Sequence, residues 1–219
     1  MQSADIARVL LAIAVGYLLG AIPFGIFVPR LIGGPDPRTI GSGRTGGANV
    51  SRAVGFRWAL VSGLLDVAKA AAAVLIVGAV GGDSVARVVA ALAAIVGHSR
   101  SVFIGFHGGR GVAPATGGAI VLAPVILLAI FPVFAISILI TRISSIGSLS
   151  ASLIGGIAMV VYAAVNHLDP IFLVYGVGVP GLIWLFHVDN IQRLLSGQER
   201  RIGTKATPPS ATDTPGANP

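Results

Sequence analysis

Long apolar runs alternate along this chain with short stretches rich in glycine, arginine and serine. The first run, residues 7–28, is long enough to cross a bilayer as a helix, which takes ~20 residues, and it carries Pro23 inside it as membrane helices tolerate. Residues 58–80 predict a second span, and residues 85–97 a return after the tight turn Gly81-Gly82-Asp83-Ser84. The run 112–140 is too long for one comfortable helix. Pro114, Gly117-Gly118 and Pro124 predict two shorter ones, with a break near Ala123-Pro124. A polar patch at 141–152 then precedes an outward span over 153–165, a turn at 166–170 and a return over 171–186. The following HVDNIQRLLSGQERRIG predicts a short amphipathic interfacial helix. The pattern predicts an all-α, polytopic membrane protein of about seven transmembrane helices. Its membrane domain covers 1–203, followed by a disordered polar tail over 204–219.

Composition agrees with this. The chain is 54% hydrophobic and 11% charged, with a mean hydropathy of +0.89, whereas ordinary globular domains carry about 25% charged residues. The N-terminal residues hold no basic region and no small-residue cleavage site, which predicts a retained first helix and not a signal peptide. The absence of cysteine excludes disulfides, thiolate nucleophiles and sulfur-ligated metals.

The net charge of +7 matters through its distribution. With the N-terminus outside, twelve cations fall on the inner side: Arg30, Arg38, Arg44, Arg52, Arg57, Arg100, Arg110, Arg142, Arg193, Arg200, Arg201 and Lys205. Arg8 and Arg87 alone fall outside, and Lys69 lies within a span. This asymmetry predicts an N-out, C-in protein of the cell membrane, in contact with anionic lipid or substrate and not with nucleic acid. It also brings the polar stretches together on the cytoplasmic side.

Those stretches carry the candidate chemistry. In Gly41–Arg52, GSGRTGGANVSR, glycines permit backbone N–H groups to line one concavity, Ser42, Thr45 and Asn49 add neutral donors, and Arg44 and Arg52 can engage phosphate oxygens. It has no Walker GK[ST], and the same residues would also suit a basic loop on a lipid surface. In His107–Gly111, Gly108 and Gly109 precede Arg110 at the start of an apolar helix, whose N-terminus favours anions; Arg110 is the first choice for a substrate cation. Arg142 and Ser145 share a helix face at i,i+3, with Ser148 beyond them. Asp66 and Lys69 lie inside a span, where charges are costly, and either neutralise each other or hold the loops. His98, His187 and Asn190 sit at span ends, where imidazole and amide groups suit either an anion site or interfacial hydrogen bonding. No HExxH, paired carboxylates, Ser/His/Asp order or metal-ligand cluster is present.

Taken together, these stretches resemble the bacterial acyl-phosphate-dependent glycerol-3-phosphate acyltransferases, which are membrane-integral. The family's first motif, near GSGNxGATNxxR, is similar to Gly41 through Arg52, and its second, GHxFPxxxxFxGGKGVAT, to Gly97-His98 through Ala113. The pattern RxxSxxS fits Arg142, Ser145 and Ser148. A closing HxxNIxRLxxGxE fits His187, Asn190, Ile191, Arg193, Leu194, Gly197 and Glu199, and LDxxK fits Leu65, Asp66 and Lys69. The order of five elements is what makes the resemblance specific. The differences are local. Arg44 replaces an asparagine, Gly47-Ala48 an Ala-Thr pair, Arg100-Ser101 a Phe-Pro pair, Arg110 a lysine and Pro114 a threonine. Arginine keeps the charge at 110 but exchanges a compact ammonium for a planar fork.

The resemblance implies acyl transfer from acyl phosphate to glycerol 3-phosphate, giving lysophosphatidic acid in phospholipid biosynthesis, with no cofactor and no metal. It implies substrate and phosphate binding by Ser42, Asn49, Arg52, Gly108, Gly109, Arg110, Arg142, Ser145, Ser148, His187 and Asn190, with Asp66, Lys69 and His98 in support. The substrate phosphate itself would serve as base, and membrane lipids would surround the fold. Two other readings fit parts of the pattern: an anion transporter with broken helices around a midplane site, and a divergent family member using another phosphorylated acceptor.

Overall fold

The computed structural model describes residues 3–203; the predicted tail lies outside the described residues. Its order is α1 (Ser3–Ala21), α2 (Phe24–Leu31), α3 (Gly47–Val54), α4 (Phe56–Ala79), α5 (Ser84–Ser99), α6 (Val112–Leu122), α7 (Leu127–Thr141), α8 (Ser144–Val165), α9 (Ile171–Phe186) and α10 (Val188–Leu195). Single turns of 3-10 helix lie at Pro37–Thr39, Val102–Ile104 and Pro124–Ile126, and no strand occurs among the described residues. Five segments among these are long and apolar enough to cross a membrane; α9 with α10, bent by 65°, makes a sixth if taken as one span. Helix α6 is apolar but short.

The first run is not one continuous helix. Pro23 cannot donate a hydrogen bond, so the chain breaks at Ile22-Pro23 and the last carbonyls of α1 need other donors. Ser101 Oγ donates to Ala21 O at 2.6 Å, and Lys69 Nζ donates to Ile22 O at 2.6 Å. Both donors come from distant parts of the chain, so the break also ties α1 to α4 and to the segment after α5. Elsewhere the breaks follow the punctuation of the sequence. Asp83 caps α5 by accepting from Ala86 N, and Ala123-Pro124 separates α6 from α7. Pro114 sits in the first turn of α6, where a missing N–H costs no helix bond.

Small residues let the helices approach. Helix α1 packs along α5, where a side chain at Gly16 or Gly20 would strike the backbone of Ala90 or Ala94. Helix α4 packs on α6 and α8 on both α7 and α9, around a core that includes Val74, Val88, Met159 and Tyr175. Helix α7 has no fully buried residue and leaves Leu128, Leu139 and Ile140 mostly exposed. In a lipid environment such a face needs no protein partner.

Two polar stretches are more ordered than their composition suggests. Residues 47–54 of the first loop form α3, bounded by extended Gly46 and left-handed Gly55, φ +88°. The serine-rich patch at 144–152 is helical throughout; it forms the first nine of the 22 residues of α8. The hydroxyls of Ser148, Ser150 and Ser152 bond back to carbonyls of the preceding turn, as Ser148 Oγ does to Ser144 O at 3.0 Å, which lets serine occupy the helix there.

Candidate active site

The glycine loop is shaped by one amide. Asn49, buried in α3, donates through Nδ2 to Pro37 O at 2.6 Å, Ile40 O at 2.8 Å and Arg44 O at 2.9 Å. Its Oδ1 accepts from Ser42 N at 3.3 Å. Gly41 takes φ +57°, and a side chain there would strike Asn49 Oδ1. Asn49 is thus the brace of the loop and its amide donors are engaged by carbonyls. Replacing it with leucine would leave those carbonyls without donors, at about 1–3 kcal/mol for each that stays buried. Asn49→Leu is expected to open the loop, seen as faster trypsin cleavage at Arg38 or Arg44, and to cost catalytic activity with it.

Beyond the brace, Gly46, Gly47 and Ala48 line a cavity of about 810 Å³. Gly47 and Ala48 belong to the first turn of α3, where their N–H groups have no partner inside the helix and form the positive end of its dipole. Ser42, Arg44 and Arg52 line the same cavity. From the opposite side come Arg110 ahead of α6, Ser145 and Ser148 of α8, and His187 and Asn190 at the α9–α10 bend.

The cations are partly desolvated. Burial draws the guanidinium groups of Arg44, Arg52 and Arg110 below their ordinary range; Asp189 offsets this at Arg44 and Arg110, and Glu199 at Arg52. Guanidinium nonetheless stays protonated, so these are fixed positive charges at the cavity. Arg110 Nη2 donates to Asp189 Oδ2 at 2.7 Å, while its buried Nε and the buried Nη1 of Arg44 have no partner. Ser145 Oγ is likewise buried and unpartnered. Donors left over at a cationic cavity are what an incoming anion would use.

His187 is buried, and its Nδ1 lies 2.7 Å from Ile183 O. A carbonyl only accepts, so Nδ1 carries the proton, and in the neutral ring Nε2 is an acceptor. Asn190 Nδ2 donates to Glu199 Oε1 at 2.8 Å.

Not every predicted residue meets the cavity. Gly108 and Gly109 do not line it, and their N–H groups donate to Ser99 O at 3.2 Å and His98 O at 3.1 Å. Side chains at either glycine would collide with His98. Arg142 is exposed and off the cavity; its left-handed backbone, φ +57°, ends α7, and its carbonyl accepts from Ile202 N at 2.7 Å. Asp66 and Lys69 pair at 2.6 Å, with His98 Nδ1 3.4 Å from Asp66 Oδ1 and 3.1 Å from Lys69 Nζ. This buried triad lies under the site, with Asp66 and His98 at the cavity wall. The sequence offers Arg44 to phosphate but assigns no role to two residues, Asp189 and Glu199. An alternation of acidic and basic side chains across 189–201 was the available signal for the latter two.

The cavity's other end is apolar. It runs along α8 from Ser145 to Met159, about 21 Å at 1.5 Å per residue, past Ile130 and Phe134 of α7. An arginine-lined mouth above an apolar cleft, in a polytopic helical fold, defines an integral membrane protein with an amphipathic cavity.

Known proteins match this arrangement. A family model described as glycerol-3-phosphate acyltransferase matches residues 10–197. Glycerol-3-phosphate acyltransferase 3 of Dehalococcoides mccartyi (strain CBDB1) is 39% identical over 214 residues, covering 92% of this chain and 99% of its own length. The glycerol-3-phosphate acyltransferase of Synechococcus sp. (strain JA-3-3Ab) is 44% identical over 196 residues, covering 90% and 94%. The crystal structure of PlsY (YgiH), an integral membrane glycerol 3-phosphate acyltransferase, in its glycerol 3-phosphate form is similar at a TM-score of 0.79 and 34% identity, covering 92% of this chain and 97% of that one. Its lysophosphatidic acid form gives 0.77 at 33%. The chain belongs to the glycerol-3-phosphate acyltransferase family, and it is a multi-pass membrane acyltransferase of phospholipid synthesis.

Proposed function

We propose that the protein transfers an acyl group from acyl phosphate to a hydroxyl of glycerol 3-phosphate, giving lysophosphatidic acid and inorganic phosphate. The observation that carries this reading is the single cavity with two chemistries: arginines and small donors at the mouth, a long apolar cleft beneath. Family membership supports the acceptor, since the similar PlsY structures are of glycerol 3-phosphate and lysophosphatidic acid forms.

The reaction needs little from the protein beyond placement and charge. An acyl phosphate is a mixed anhydride, so the hydroxyl oxygen attacks the acyl carbon directly, the acyl–phosphate C–O bond breaks, and phosphate leaves with the electron pair. Arg44, Arg52 and Arg110, with the first-turn amides of α3, hold the two phosphates and stabilise the developing oxyanion. Ser145 and Ser148 form the facing wall. His187 Nε2 and Asn190 orient the glycerol moiety, and the leaving phosphate takes the hydroxyl proton. Asn49, Gly108 and Gly109 serve by shaping the mouth.

The site faces the cytoplasm in this reading, with the N-terminus outside. Its support is the excess of arginine in the segments that meet at the mouth. Helix α6 leaves the mouth and α7 returns to it, so counting each as a leg gives seven crossings. Among the described residues the charged groups well inside a span, Asp66 and Lys69, pair with each other, which favours transfer chemistry over transport.

The acyl chain lies in the cleft. At about 21 Å the cleft exceeds the ~15 Å occupied by one leaflet's hydrocarbon, so a whole chain fits above Met159, Ala119 and Tyr175. Ala119→Leu is expected to lower the rate with octadecanoyl phosphate relative to decanoyl phosphate by about tenfold, as crowding of an apolar pocket does. Equal rates for the two donors in wild type and variant would contradict this placement. The function itself is tested by incubating purified protein in detergent with palmitoyl phosphate and labelled glycerol 3-phosphate. Labelled lysophosphatidate is the expected product, and its absence overturns the reading.

A further inference from the structure

Five side chains between the mouth and the C-terminal segment form a continuous polar chain. Arg110 donates to Asp189 at 2.7 Å, and Asp189 also pairs with Arg193 at 3.5 Å. Arg193 Nε donates to Glu199 Oε2 at 3.0 Å, and Glu199 Oε1 accepts from Asn190 Nδ2 at 2.8 Å. The chain begins and ends on residues that line the cavity, Arg110 and Asn190, while Asp189 does not line it. The Asp189 side chain is 34% exposed, whereas that of Glu199 is nearly enclosed.

We propose that Asp189 is a positioning residue for glycerol 3-phosphate, fixing the guanidinium of Arg110 and, through Arg193 and Glu199, the amide of Asn190. The argument is geometric. Asp189 takes up one nitrogen of the Arg110 fork from outside the cavity, and Nε stays buried without a partner on a residue that lines it. A planar fork held by one edge presents the rest of its donors in a fixed plane, which is how arginine gains specificity for phosphate. At the other end, one hydrogen of Asn190 Nδ2 is engaged by Glu199 and its Oδ1 is buried and unpartnered, so the amide has a set orientation with an acceptor remaining. A cationic fork for the phosphate and an acceptor for a hydroxyl are what a phosphorylated polyol requires. The acidic side chain at 189 falls at an unspecified position of the HxxNIxRLxxGxE pattern, so the pattern itself assigns it nothing.

This inference rests on the acyltransferase reading, and the experiment separates the two. Wild type, Asp189→Asn and Asp189→Glu are purified in detergent. Turnover of palmitoyl phosphate with glycerol 3-phosphate is measured, together with calorimetric binding of glycerol 3-phosphate alone. Asparagine keeps the shape but removes the negative charge, so its bonds to the Arg110 and Arg193 guanidinium groups are no longer charge-assisted from both sides. The expected result is a KM for glycerol 3-phosphate raised about tenfold or more in Asp189→Asn, with kcat changed far less and affinity weakened in parallel. Asp189→Glu should bring both back to within about threefold of wild type. An Asp189→Asn protein with wild-type KM and affinity overturns the proposal. So does a variant whose kcat and unfolding midpoint fall together while KM stays put, since that is a structural role only. A wild type that binds glycerol 3-phosphate without acylating it removes the acyltransferase reading, and the binding arm then decides the role of Asp189. A wild type that does neither removes both.

Discussion

Arg110→Ala is expected to lower acyl transfer by ~10²–10³-fold, the cost of deleting one preorganised donor from a charge-stabilising site. Arg110 is the cavity cation held by a direct 2.7 Å carboxylate bond, and it sits at the α6 entrance between the glycine loop and the α9–α10 bend. Truncation removes its charge and leaves Asp189 facing Arg193 alone, so the mouth loses both a donor and its geometry. The loss should fall on kcat as well as on KM, because charge grows on the transferring group in the transition state. Arg110→Lys should recover a substantial part, since the related motif carries lysine there; it restores charge without the fork. Steady-state turnover by variants that remain folded in detergent checks this. Wild-type turnover in Arg110→Ala would remove Arg110 from the site.

Lys69→Met is expected to have the largest effect on stability, about 3 kcal/mol or more, the range for stranding one partner of a buried ion pair. Lys69 Nζ holds Asp66 at 2.6 Å and also donates to Ile22 O, a carbonyl at the break before Pro23 that accepts from Phe24 N as well. It lies 5.7 Å from the ring centroid of Phe24, so one ammonium ties the first break to α4. Methionine keeps the volume but leaves Asp66 with His98 alone. The midpoint of thermal unfolding in detergent should drop, and the double variant Asp66→Asn, Lys69→Met should recover part of it, because the stranded charge is gone. An unchanged midpoint in Lys69→Met would show that the triad holds nothing together.

Much of this was legible from residue order. Apolar runs and proline positions located the helices, and the break at Ala123-Pro124 falls where those residues place it. The break at Ile22-Pro23 was not legible, because a proline in a membrane helix is tolerated or not according to which distant donors reach the freed carbonyls. Here Ser101 and Lys69 do. Over 144–152 the serines read both as a polar patch and as the start of a helix, and they do open α8, with Ser148 bonding back to Ser144 O; of Arg142, Ser145 and Ser148, Arg142 alone falls outside that helix.

The candidate site divides in the same way. Arg52, Arg110, Ser145, His187 and Asn190 carry recognisable chemistry, and all of them line the cavity. Residue type alone could not distinguish a group that meets the cavity from one that shapes it. Asn49 lines the cavity and is a good anion donor by composition, yet its amide nitrogen is taken up by three carbonyls. Gly108 and Gly109 suggested free amides, yet their N–H groups are bonded and their missing side chains admit His98. Arg142 ends α7 on an exposed surface. Such distinctions depend on which carbonyls fold back against a residue, and that is set by contacts far apart in the chain.

The central claim is the donor. Purified protein should be given labelled glycerol 3-phosphate with palmitoyl phosphate, palmitoyl-CoA and palmitoyl acyl-carrier protein in separate reactions and in competition. The account predicts labelled lysophosphatidate and inorganic phosphate from palmitoyl phosphate, with the thioesters neither serving as donors nor slowing the reaction appreciably. Lysophosphatidate formed from a thioester but not from the acyl phosphate would contradict it.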